Sequence, residues 1–350
     1  MKKIGIACLC ITLFVGTLFI FKKISPQSKS AFATIRLNGE EKVHITEGNE
    51  YVEEGFKAYD AKDGDISKKV VITDETDTSK TGIYKRFYTV ENSRKQITKV
   101  IRTIVVDKKV DLIYQSSYDK IDNTTKGWWS GNKKDGTRPP GGAEAEELKK
   151  YGAYFLGPDT KTIYLTFDEG SNDTYVKEIV DALNQNHVKA TFFLCKRFIL
   201  DNPDLIRSMV KNGHSIGNHT AYHKSMPSLA TKDNFTKYVK EIKDLEDAYY
   251  SVVGKQIDKV YREPKGEWSY RSLQMIKDLG YKSFFYSADY LDWNGTVTKD
   301  YALTELKKRV HNGAIYLIHP KNKGNAEAMD SFVKEMKEQG YTFGLVKNIQ

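Results

Sequence analysis

The sequence predicts an α/β protein, a parallel sheet with helices packed on it over the C-terminal half, preceded by a small all-β sandwich. Three observations predict it. From Thr162 onward, short apolar runs alternate with amphipathic stretches of helical period, the pattern of a parallel sheet, open or closed into a barrel. Between Thr34 and Asp107 only short β-rich runs occur, punctuated by Gly, Asn and Asp, as in a sandwich. In the later half the polar clusters fall at the carboxyl ends of the apolar runs, where parallel α/β folds build their sites.

The chain begins with Lys2 and Lys3, an apolar run from Ile4 to Phe21, then Lys22 and Lys23. A run of about 18 apolar residues spans a bilayer. The only small-residue cleavage pattern, Ala31-Phe32-Ala33, lies well beyond it, whereas a signal peptide is cut close behind its apolar region. Residues 1–30 are therefore expected to be a transmembrane anchor and linker holding an exported protein to the cell membrane; secretion after signal cleavage is the alternative. Cys8 and Cys10 lie in that run and Cys195 in an expected strand, so no disulfide framework or Cys-x-x-Cys metal pair is expected.

Residues 31–108 carry the runs TIRLNG, EKVHIT, VVITD, GIYKRFYTVEN and QITKVIRTIVVD, with turns at Asn38-Gly39, Gly48-Asn49 and Asp63-Gly64. The stretches EEGFKAYDAKDGDIS and DTSKTGIYKRFYTV resemble bacterial immunoglobulin-like surface domains. Asp60, Asp63 and Asp65 do not have the spacing of a calcium loop and read as a turn. Residues 109–157 form a linker and extension rich in Gly and Pro, including GWWSGNKKDGTRPPGG. Residues 158–350 hold the β–α alternation: strands KTIYLTF, KATFFLC, GHSIGNH, VYREP, YKSFFYS and GAIYLIH. Helices are expected at 173–186, 203–212, 232–253, 270–279, 300–311 and 325–339, before a closing YTFGLV.

Asp168 and Glu169 end the first of these strands, and His219 and His223 follow the third. Arg262 ends the fourth, Asp289, Asp292 and Trp293 follow the fifth, and His319 ends the last long one. Two histidines with a carboxylate from another strand suit a catalytic divalent metal such as zinc. A second carboxylate can then serve as base and a histidine across the site as acid. Metal-assisted hydrolysis of an amide or ester is the reaction class this points to.

At these residues the chain resembles the polysaccharide deacetylases of the NodB-homology type. The five family motifs occur in order as Thr166-Phe167-Asp168-Glu169, His219-Thr220-Ala221-Tyr222-His223, Arg262-Glu263-Pro264-Lys265-Gly266, Asp289-Tyr290-Leu291-Asp292-Trp293 and Leu317-Ile318-His319. The resemblance implies a distorted (β/α) barrel in which Asp168 is the base that activates the attacking water. His219, His223 and the second acid, Glu169, would bind the metal. Arg262 would hold Asp168, Asp292 would orient His319, and His319 would protonate the leaving amine. Leu317 and Trp293 would wall the acetyl pocket, and the backbone N–H near Lys265 would stabilise the oxyanion. The family usually has Asp where this chain has Glu169, so a metal held more loosely is expected.

The stretch GWWSGNKKDGTRPPG to YFLG resembles the branch that deacetylates N-acetylmuramic acid for muramic δ-lactam formation in spore cortex. That implies peptidoglycan strands as substrate and an upstream amidase that strips the stem peptides. The alternatives are a deacetylase of N-acetylglucosamine or another polysaccharide, and an inactive glycan-binding barrel. The net charge of +9 suits an anionic glycan; its scattered lysines speak against nucleic acid. Of the other histidines, His214 precedes a strand core, His187 and His311 sit at helix ends, and His44 belongs to the β-region. Trp128 and Trp129 are expected to anchor their segment in the core, and Cys195 to be a small buried hydrophobe.

Overall fold

The computed structural model describes residues 32–107, 112–130, 135–170, 175–293 and 295–350. The expected membrane anchor lies outside them; among the described residues no helix is long and apolar enough to cross a membrane. The chain divides into two compact units. One comprises Gly55–Asp74, Arg86–Ile101 and the stretch up to Gly39; the other comprises Glu40–Glu54, Glu75–Lys85 and Arg102–Gln350.

The first unit is all β. Thr34–Leu37, Phe56–Asp60 and Gly64–Asp65 form an antiparallel sheet, and Val71–Asp74 pairs antiparallel with Arg86–Thr89. The Asp/Gly cluster is a turn. Buried Asp60 accepts from the backbone N–H of Lys62 and Asp63 and from Asn92. Asp63 accepts from Ser93, and Asp65 from Ser67. These donors hold the Asp60 carboxyl down at about 2, the Lys62 N–H most strongly.

In the second unit Lys42–Thr46 runs parallel to Thr103–Asp107. Its main body is a parallel sheet in the spatial order Ile315–Ile318, Thr162–Glu169, Thr191–Leu194, Ser215–Asn218, Val260–Tyr261, Lys282–Phe284, Ala153–Tyr154. Thr342–Phe343 pairs alongside Thr162–Ile163. Single bridges join Leu156 to Ala314 and Ala288 to Tyr316, so the two edges of the sheet meet and the barrel is distorted rather than regular.

Period-two alternation sorts the side chains of Thr162–Glu169 into two layers. Ile163, Leu165 and Phe167 join Phe192, Leu194 and the helix residues Ile179, Val180 and Leu183 in the main core. Tyr164 instead joins Phe193, Val260, Phe284 and Ile315 inside the barrel. That interior is tight: a Cβ added at Gly217 would come within 2.6 Å of the Phe193 ring.

Several expectations are corrected. The helix Gly142–Lys150 and the edge strand Ala153–Tyr154 within the extension were not expected. Two residues are too few to show periodicity, so pattern alone missed the strand. A helix at Lys196–Asp201 was unexpected, and Cys195 sits just before it as N-cap rather than in the strand. The long helix starts at Phe235, not Lys232. The next-to-last helix ends at Lys307, not His311, and the last spans Lys323–Glu338.

Candidate active site

Every motif reaches the same end of the barrel because each follows a parallel strand at its carboxyl end. Asp168 closes Thr162–Glu169, His219 follows Ser215–Asn218, Arg262 follows Val260–Tyr261, and His319 follows Ile315–Ile318. There a cleft of about 710 Å³ is lined by Asp168, His219, Tyr222, His223, His319 and Lys321, with Cys195 at its wall.

One side of the cleft is an acid held by a cation. Arg262 is 2 % exposed, and its guanidinium donates four hydrogen bonds. Nε donates to the Phe284 carbonyl (2.8 Å), Nη2 to the Phe285 carbonyl (3.3 Å), and Nη1 to both Thr166 Oγ1 (2.7 Å) and Asp168 Oδ1 (2.9 Å). Thr166 in turn donates to the Tyr316 carbonyl. Thr166 and Asp168 share one face of the strand, so a single guanidinium spans both and fixes the carboxylate.

The other side is a base held by an acid. His319 Nδ1 faces Asp292 Oδ1 at 2.8 Å, which assigns the proton to Nδ1 and leaves Nε2 toward the cleft. Burial alone would lower this imidazole's pKa; the Asp292 carboxylate more than reverses that and raises it. Fully buried Asp292 also accepts from the His319 backbone N–H (2.6 Å) and Asn325 Nδ2 (3.0 Å). Asn325 donates to the His319 carbonyl as well, and Asn322 to the Asp292 carbonyl. Neither asparagine was singled out in the sequence, where nothing distinguishes them from helix-start residues.

Between these lie the histidines. His219 Nδ1 is 2.9 Å from the Arg262 carbonyl. A carbonyl only accepts, so Nδ1 bears the proton and Nε2 offers its lone pair, 3.8 Å from Asp168 Oδ2. The His223 ring stands edge to face with it, centroids 4.9 Å apart. Burial, then the neighbouring His219, brings His223 down to about 4, so it too is neutral and able to ligate. The donor chemistry of this pair fits a divalent metal.

Glu169 does not join them. It is fully buried, falls on the strand parity of Leu165 and Phe167, and does not line the cleft. Among the described residues no group of three or more His, Cys, Asp and Glu is disposed to hold a metal. Among those residues, then, His219, His223 and Glu169 do not stand as a ready three-ligand group. Lys265, Trp293 and Leu317 also lie off the cleft lining; Trp293 is exposed, and Leu317 packs on the barrel interior. Lys265, Thr220 and His223 carry left-handed backbone, φ 61°, 67° and 55°. Such conformations are costly for non-glycine residues and concentrate at functional sites.

The remaining candidates resolve simply. Trp128 stacks on Phe285 (4.5 Å, 14°) and donates to the Tyr286 carbonyl at 2.9 Å, so it anchors its segment as expected. Trp129 is exposed, against that expectation. Asp289 accepts from Ser130. His214 is buried, its Nδ1 accepting from the Ala190 N–H, and His311 bonds the Asn312 carbonyl.

A parallel barrel with a cation-held carboxylate facing an anion-held imidazole across one cleft is the apparatus of a hydrolase that cleaves amides. The chain belongs to the polysaccharide deacetylase family. The family model described as polysaccharide deacetylase matches residues 156–284, and that of the bacterial surface protein Ig-like domain matches residues 35–106. The peptidoglycan-N-acetylmuramic acid deacetylase PdaA of Bacillus subtilis is 38% identical over 60% of this chain and 80% of its own length. A peptidoglycan-N-acetylglucosamine deacetylase of Bacillus cereus is 31% identical over 56% and 71%. The solved structure of Bacillus subtilis PdaA, described as a family 4 carbohydrate esterase, superimposes with a TM-score of 0.62 at 34% identity, covering 65% of this chain and 98% of that one.

Proposed function

We propose that this protein is a peptidoglycan deacetylase of the cell envelope that removes acetyl from N-acetylmuramic acid in glycan strands stripped of stem peptide. The freed amine then stands beside a bare lactyl carboxylate, the precursor of a δ-lactam of the kind found in spore cortex. An amidase acting earlier supplies the substrate, and the N-terminal apolar segment holds the enzyme to the membrane. The observation that carries the reaction is the opposed pairing of Asp168 with Arg262 and His319 with Asp292.

Asp168 takes the proton from the attacking water, and Arg262 keeps it ionised and aimed. His319 gives its proton to the amine nitrogen as the C–N bond breaks. The N–H near Lys265 receives charge developing on the carbonyl oxygen. His219 and His223 would hold a divalent metal, zinc first, which when bound polarises the carbonyl and acidifies water.

Two observations support the muramic acid reading over glucosamine. The relative named for N-acetylmuramic acid is the more similar of the two above. Lys321 also lines the cleft without an ion pair among the described residues, whereas Arg197 and Arg262 are paired with Asp201 and Asp168; a free cation there suits a lactyl carboxylate. The test is mass spectrometry of peptide-free glycans incubated with the purified ectodomain, with zinc or with chelator. Zinc-dependent loss of acetyl from muramic acid is expected. Loss from glucosamine alone would replace the substrate, and no loss in either state would make the chain a glycan-binding protein.

A further inference from the structure

The two histidines are held in different ways. The His219 ring is fixed by its own hydrogen bond to the Arg262 carbonyl, whereas no hydrogen bond to the His223 ring occurs among the described residues. A metal-binding histidine nearly always has its second ring nitrogen tied down. For His223 the backbone must do that work.

That backbone is strained. Thr220 (φ 67°) and His223 (φ 55°) both occupy the left-handed region, at a cost of about 1–3 kcal/mol for each non-glycine residue. The turn persists only if its polar groups are well satisfied elsewhere. The Thr220 N–H donates to Asn218 Oδ1 (2.9 Å) and the His223 N–H to Thr220 Oγ1 (3.0 Å). The two peptides between them both end on one residue of the long helix Phe235–Val253. The Ala221 N–H donates to the Glu241 carbonyl (2.8 Å), and the Tyr222 N–H to Glu241 Oε2 (2.8 Å). Glu241 is 2 % exposed. Lys224 Nζ stands 3.6 Å from its other carboxylate oxygen, just beyond the turn.

We propose that Glu241 is a positioning residue for His223: by accepting from the turn between the two histidines, it fixes the second imidazole over the cleft for metal capture. This rests on the reading that His219 and His223 hold the metal. Position is what matters, more than charge, because the contact that reaches the turn is one oxygen at one distance. Glutamine offers an amide oxygen at the same reach with no charge. Aspartate keeps the charge and falls a methylene short of the Tyr222 N–H.

The experiment measures zinc affinity of the purified protein, stripped of metal, by competition with a chromophoric chelator at fixed pH. Thermal melts of the metal-free proteins run in parallel. Glu241→Gln should bind zinc within about threefold of wild type. Glu241→Asp and Glu241→Ala should bind it about 10- to 100-fold more weakly, with the loss present even where the metal-free melting temperature is unchanged. The reverse order, aspartate retaining affinity and glutamine losing it, would make the role one of charge and overturn the proposal. Equal affinity in all four proteins would overturn it too. A wild type that binds no zinc would instead sink the histidine-pair reading beneath it, and this proposal with it. Should Glu241→Ala fail to fold, the aspartate and glutamine variants decide alone.

Discussion

Replacing Glu263 by glutamine isolates the cost of a buried carboxylate one residue from the arginine of the site. Glu263 is 2 % exposed. It accepts from the Tyr261 hydroxyl (2.7 Å) and from Ser272 Oγ (2.8 Å), and Ser272 belongs to the capping box that starts helix Tyr270–Asp278. Burial raises its pKa from the ordinary 4.5 to about 7, against the pull of those two hydrogen bonds. With the folded value above the unfolded one, the native state holds the proton more tightly. Stability from this group is therefore full below pH 4.5 and is lost as pH rises to about 7. At about 1.4 kcal/mol per tenfold change in proton affinity, the loss approaches about 3 kcal/mol above pH 8. Glutamine imitates the protonated form: its carbonyl can accept from Tyr261 and its amide can donate to Ser272 Oγ. Scanning calorimetry from pH 5 to pH 8.5 should show the two proteins alike at the acid end. At the alkaline end the variant should melt several degrees higher. All other titrations are common to both proteins and cancel in the difference. A difference that does not grow with pH, or a wild type more stable at pH 8, would refute the argument.

Three further outcomes are expected. Arg262→Met should lower kcat at least a hundredfold in acetate-release assays and cost about 3–5 kcal/mol in urea unfolding, because it strands a buried carboxylate and two carbonyls; retained kcat would remove Arg262 from the proton-handling pair. Asp292→Asn withdraws the charge that raises His319. The alkaline limb of the pH–rate profile, where the acid loses its proton, should then move to lower pH, and an unmoved limb would show that His319 is not the acid. Trp128→Ala should cost about 2–4 kcal/mol by thermal melting, since the indole packs on Phe285 and Phe155; an unchanged melt would show that the ring does not anchor its segment.

Much of this was legible in advance, for identifiable reasons. Strands such as Thr162–Glu169 carry long apolar runs, and a parallel barrel sends the residue after each run to one face. Asp168, His219, Arg262 and His319 therefore declared themselves by position before any contact was known. What stayed hidden depends on partners remote in sequence. Glu241 reads as one more acid on a charged helix; only the fold sets it beneath the His219–His223 turn. Asn325 holds Asp292 and His319 together from a helix start, and the edge strand Ala153–Tyr154 exists only because Lys282–Phe284 lies beside it.

Glu169 belongs to neither group. Its two-residue signal, an acid pair at a strand end, invited the reading that one acid serves as base and the other as ligand. Yet the strand's own alternation argues otherwise. Tyr164, Thr166 and Asp168 form one parity, with polar groups at its last two positions; Leu165, Phe167 and Glu169 form the other, and the first two of these are core. Position 169 continues that second row in sequence, and the structure buries Glu169 fully. Residue type states what chemistry a site could do. Of the two adjacent acids, Asp168 is the one that Arg262 holds, and it lies on the parity of Thr166, which the same guanidinium reaches.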